Sequence, residues 1–222
     1  MLRVLTACNW RCSYCEYGRS PSSNIDDDIA LDIFNENKDV ATHITGGEPG
    51  LLSEKFWDNA FSYKPLGVIT NGTFIKRGYY EKYQDRVSGL YVHAVQELDH
   101  EIDPVILDFF KNNKDPRNEI SFVVHRRNTS LIKTFLDKYS DISFKITMSG
   151  DQFSNNTLYN LDRESALEVI SVLKDYPQYQ KYVNKLFLAI VKNNWNLCFM
   201  SQEKSCLTCN NKCWKQNEPK AT

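Results

Sequence analysis

The chain has 222 residues, 41% hydrophobic and 13% aromatic, with 27 Lys and Arg against 28 Asp and Glu for a formal charge of −1. That length suits one large domain, alone or with a small appendage, and no stretch approaches the roughly 18 consecutive apolar residues of a membrane span. Near-balanced charge spread along the whole chain offers no basic face for nucleic acid. Residues 1–7 lack a basic segment followed by a long apolar core, so no secretion signal and a cytoplasmic setting are expected.

Residues 2–6 read as a strand and are followed at once by cysteines. A helix is predicted around residues 28–37, opened by Asp26 and Asp27, where the helix dipole favours negative charge. A second strand over 40–45 ends in Gly46-Gly47-Glu48-Pro49. Helical residues 52–62 lead to a strand over 66–70 that ends in Asn71-Gly72. A helix over 75–83, a strand over 89–95 and a helix over 103–112 with Pro104 in its first turn come next. Strands over 120–125 and 143–148 flank a helix at about 130–139, and two more helices cover about 163–175 and 179–192.

Strands alternating with helices of this length give an α/β fold with a parallel sheet. Six such units fit before residue 150, whereas a closed eight-unit barrel uses roughly 250 residues. The expected architecture is therefore a partial (β/α)6 barrel over residues 1–150. Residues 151–222 form a helical, cysteine-rich extension able to cover the open sheet edge.

The seven cysteines fall in two groups: Cys8, Cys12 and Cys15, then Cys198, Cys206, Cys209 and Cys213. In a chain without a secretion signal they read as thiolates kept for metal rather than as a disulfide framework. The first group follows a predicted strand, at the carboxyl end of the sheet, where α/β proteins bind ligands. Three soft thiolates can hold three irons of a four-iron cluster and leave the fourth iron open. A zinc site or reduced core cysteines are the alternatives on these residues alone.

The spacing CxxxCxxC, with aromatic Tyr14 just before the last cysteine, resembles the signature of the radical S-adenosylmethionine (SAM) superfamily. Thr45-Gly46-Gly47-Glu48-Pro49 is similar to that family's GGEP segment, and Thr70-Asn71-Gly72-Thr73 to its TNG element, although each is also ordinary turn chemistry. The resemblance covers about residues 1–148. It implies a [4Fe-4S] cluster on Cys8, Cys12 and Cys15 with SAM bound at the open iron. It also implies reductive cleavage of SAM to methionine and a 5′-deoxyadenosyl radical that abstracts hydrogen from a substrate. Tyr14, Gly46, Gly47, Glu48, Pro49, Thr70 and Asn71 would then border the cofactor, with Glu48 opposing the positive charge of the SAM amino group. On the fourth and fifth strands His93, His125 and Asn128, with Arg126 and Arg127, are candidates for ribose, carboxylate or substrate contacts; each has an ordinary structural reading as well.

Cys198, Cys206, Cys209 and Cys213 can close a coordination shell around a second [4Fe-4S] cluster or a zinc ion. The extension resembles in part the SPASM and Twitch extensions of radical SAM enzymes, though it is shorter than a SPASM domain and matches only part of the spacing. The expected partners are a peptide or small-molecule substrate and an electron donor such as flavodoxin or ferredoxin, without membrane or nucleic acid. A small metabolite or nucleotide precursor, a glycyl radical to be installed in a partner protein, and a nonenzymatic zinc-stapled binding module are the competing readings.

Overall fold

Helix starts follow the local chemistry. In the computed structural model, which describes residues 1–15, 25–149 and 158–192, Asp26 caps helix α1 (Asp27–Asn37) by accepting from the backbone N–H groups of Asp28 and Ile29, supplying partners for donors that a helix start leaves orphaned. Asp103 does the same for α5 (Pro104–Asn112), whose first residue is the expected proline. A reciprocal Asp162–Ser165 capping box opens α7 (Arg163–Leu173).

The strands are β1 (Leu2–Arg3), β2 (His43–Thr45), β3 (Leu66–Thr70), β4 (Val87–His93), β5 (Asn118–Val124) and β6 (Phe144–Met148). They form one six-stranded, all-parallel sheet in sequence order, β1-β2-β3-β4-β5-β6, so β1 and β6 each have a single neighbour and the sheet does not close on itself. The α/β expectation with six parallel strands holds at this level. Remaining helices are α2 (Glu54–Tyr63), α3 (Thr73–Lys76), α4 (Tyr79–Tyr83), α6 (Ile132–Lys138) and α8 (Gln180–Lys192), with a 3-10 turn at Pro49–Leu51.

Two local departures have simple causes. The helix expected over 75–83 is broken into α3 and α4 because Gly78 adopts a left-handed φ of 73°, which interrupts a helix and is cheap only for glycine. The strand expected over 40–45 begins only at His43, because the N–H groups of Val40 and Ala41 turn back to the Asn37 carbonyl at the end of α1.

Two compact units can be distinguished: Met1–Phe122 with Tyr139–Lys145, and Val123–Lys138 with Ile146–Thr222. Aromatic packing dominates part of the first, where Trp57 lies 4.9–5.4 Å from Phe56, Phe61 and Phe74, centroid to centroid. In the second, α7 and α8 pack together, and the Tyr182 hydroxyl accepts the Ile146 N–H at 3.0 Å. Among the described residues no helix is long and apolar enough to cross a membrane. Cys198, Cys206, Cys209 and Cys213 lie outside the described residues.

Candidate functional site

Backbone pairing beyond β1 sets the site. Val4 N–H reaches the Thr45 carbonyl at 3.0 Å, Gly47 N–H the Leu5 carbonyl at 2.8 Å, and Glu48 N–H the Ala7 carbonyl at 2.7 Å. The chain approaches itself so closely here that side chains are excluded. A Cβ on Gly46, which has φ +149°, would stand 2.3 Å from the Leu5 carbonyl oxygen, and one on Gly47 would stand 2.1 Å from that of Ala7. The glycine pair thus holds the turn after β2 against the segment that delivers Cys8.

Glu48 is buried, with 1% of its surface exposed. Its Oε1 accepts from Gly50 N–H at 2.7 Å and from the Thr70 hydroxyl at 2.6 Å, and Oε2 accepts from Asn71 N–H at 2.6 Å. The Thr70 oxygen also accepts from Gly72 N–H at 3.0 Å, which leaves its single proton for Glu48. Pro49 starts the 3-10 turn that presents Gly50 to the carboxylate. Burial pushes the Glu48 carboxyl up to about 7, against the three donors, which favour its charged form. The side chain is thus committed to joining the ends of β2 and β3.

A ring of side chains joins the cysteine loop to the end of β3. Asn71 Nδ2 donates to Asn9 Oδ1 at 2.7 Å, Asn9 Nδ2 donates to Thr73 Oγ1 at 3.1 Å, and the Thr73 hydroxyl donates to Asn71 Oδ1 at 2.7 Å. On the other side of the loop, Ser13 donates through both its N–H (3.1 Å) and its hydroxyl (2.5 Å) to Glu97 Oε1, just beyond β4.

Within the loop, Cys8, Cys12 and Cys15 are free, half-buried thiols. Trp10 N–H points to Cys8 Sγ at 3.4 Å, and Cys15 N–H closes a turn on the Cys12 carbonyl at 3.1 Å. Burial raises the Cys8 thiol, with the Glu48 and Cys15 charges adding to it. Cys12 is pushed up to about 12, first by burial and then by the negative charges of Cys15, Cys8 and Glu97. Burial likewise holds the Tyr14 phenol well above its usual range, with Cys12 next in effect.

Such surroundings favour neutral thiols at Cys8 and Cys12; metal coordination would reverse that by deprotonating them. Among the described residues no three His, Cys, Asp or Glu side chains converge as ligands of one ion do. A four-iron cluster makes a different demand, one thiolate per iron around a cubane, and three soft donors on one braced loop are chemically suited to it.

His93 ends β4 on a distinct face of the sheet. Ile44, Val68, Thr70, Leu90, Val92 and Ile120 are buried on one face, while His43, Thr45, Ile69, Tyr91, His93 and Ser121 alternate with them and are half-exposed. Parallel sheets are ordinarily covered on both faces; the half-exposed, polar face therefore offers room for a ligand. His93 Nδ1 lies 3.3 Å from Ser121 Oγ, and burial lowers the imidazole's pKa, favouring the neutral ring.

Asn128 and His125 belong to the second unit. Asn128 is buried, and its amide accepts His125 N–H at 2.9 Å and donates to the Val123 carbonyl at 3.0 Å, bracing the turn after β5. His125 packs edge-on to Tyr159, Arg127 lies over the same ring, and Arg126 pairs with Asp162 at 2.9 Å.

Three residues that sequence reasoning missed are Asn9, Ser13 and Glu97. Asn9 and Ser13 occupy variable positions of the cysteine spacing, and Glu97 reaches Ser13 across 84 positions, so only the folded chain reveals their pairing. The fold and site together define an α/β protein with a thiol-rich loop at the carboxyl end of a parallel sheet. No protein-family model matches the chain, and a search of curated proteins finds no match.

Proposed function

We propose that this protein is a radical SAM enzyme of partial-barrel type, with Cys8, Cys12 and Cys15 holding a [4Fe-4S] cluster. The observation that carries the reading is the convergence of three strand ends on the cysteine loop: Gly46-Gly47 after β2, the Asn71–Thr73 ring after β3, and Glu97 after β4. When bound, the cluster and SAM supply a one-electron cleavage of the sulfonium that yields methionine and a 5′-deoxyadenosyl radical.

The chain's own residues would hold and orient these groups. The three thiolates take one iron each and leave one iron for SAM. Glu48 fixes the turns on both sides through Gly50, Thr70 and Asn71, and in its charged form would favour a cationic amino group nearby. Tyr14 would border the cofactor, and His93 on the half-exposed sheet face offers a neutral imidazole to ribose or substrate. The substrate is an organic molecule that gives up a hydrogen atom, a peptide or a small metabolite, and the electron comes from a flavodoxin- or ferredoxin-like donor. Cys198, Cys206, Cys209 and Cys213 would hold a second cluster or a zinc ion.

Anaerobic reconstitution with iron and sulfide tests this. About four irons per cluster are expected, so about eight mark a second cluster in the tail and about four with bound zinc mark the alternative there. Replacing Cys8, Cys12 and Cys15 together by Ala should remove about four irons whichever metal the tail holds. Undiminished iron in that variant would contradict the assignment.

A further inference from the structure

We propose that Glu97 is a positioning residue that clamps the cysteine loop and, by its charge, lowers the reduction potential of the cluster held there. This rests on the radical SAM reading above.

Geometry supports the clamp. One carboxylate oxygen of Glu97 takes both donors of Ser13, at 3.1 and 2.5 Å. Ser13 lies inside the turn closed by Cys15 N–H on the Cys12 carbonyl. Holding Ser13 therefore holds the spacing of two cluster ligands. Asn9 and its ring secure the other end of the same loop.

Electrostatics supports the second role. The potential of an iron-sulfur cluster follows the net charge around it and the hydrogen bonds to its sulfurs. The Glu97 carboxylate sits on the N–H and hydroxyl of Ser13, the residue after Cys12, and a negative charge there opposes the addition of one electron to the cluster. The charge makes the reduced cluster a stronger reductant, as one-electron cleavage of a sulfonium requires.

Glu97→Gln separates charge from clamp, because a carboxamide oxygen can still accept from Ser13 while the charge is gone. The full chain is reconstituted anaerobically and titrated with dithionite through redox mediators, and the EPR signal that SAM addition perturbs is followed. Glu97→Gln should retain wild-type iron and show a more positive midpoint potential. Glu97→Ala, which loses both bonds, should retain less than half of the iron at this cluster, with circular dichroism checking that the fold persists. An unchanged midpoint in Glu97→Gln with full iron overturns the electrostatic role, and full iron in a folded Glu97→Ala overturns the clamp. A wild-type chain that gives no SAM-sensitive cluster signal overturns the radical SAM reading and this proposal with it.

Discussion

Glu48 carries a conflict that solution measurements can read. Burial disfavours its charge while Gly50, Thr70 and Asn71 donate to it, and burial prevails, raising the carboxyl from an ordinary 4.5 to about 7. A raised carboxyl means that the folded chain binds more protons than the unfolded one between those values, so this contribution to stability is full below pH 4.5 and is lost as pH rises through about 7. The loss amounts to roughly 3 kcal/mol at its full extent. His43 and His93, whose pKa values burial lowers, act in the opposite sense as pH falls below the ordinary histidine value. The difference between wild type and Glu48→Gln isolates the carboxyl. In urea denaturation of the metal-free, reduced chain, wild type should lose stability relative to Glu48→Gln between pH 5 and pH 7; parallel profiles would contradict this account. The tetrapeptide was legible in sequence as a glycine turn with a carboxylate. Its folded use is different in emphasis: the glycines admit the chain's own Leu5–Ala7 backbone, and the carboxylate ties two strand ends together.

At the scale of elements, α2 anchors the first unit through Trp57, which is fully buried among Phe56, Phe61 and Phe74. Among the described residues its Nε1 has no hydrogen-bond partner, and a buried donor without a partner costs about 1–3 kcal/mol. Trp57→Phe removes that donor together with part of the packing, so the two effects offset; the variant should lie within about 1.5 kcal/mol of wild type. Trp57→Ala should lose about 3–5 kcal/mol by leaving a cavity. Chemical denaturation midpoints check both values, and a large loss in Trp57→Phe would show that the indole N–H is satisfied in solution. The order and type of the elements were legible because alternation of apolar runs and capping residues such as Asp26 and Asp103 act locally. The break at Gly78 and the late start of β2 were not, since each depends on how the chain turns back on neighbouring backbone. Asn9, Ser13 and Glu97 were also out of reach, because their roles arise from pairing between distant loops.

For the molecule as a whole, six parallel strands in sequence order bring successive loops to the same end of the sheet, which is how the cysteine loop comes to meet the glycines, Asn71 and Glu97. Such a sheet is open to many chemistries; the three thiols narrow them. The measurement that tests the central claim most directly is the formation of 5′-deoxyadenosine by the reconstituted chain, supplied anaerobically with SAM and dithionite and compared with Cys12→Ala. Wild type should form 5′-deoxyadenosine and methionine, and Cys12→Ala should form neither above the protein-free background. A reconstituted wild-type chain that leaves SAM intact, or a Cys12→Ala variant that cleaves it equally well, would contradict the account.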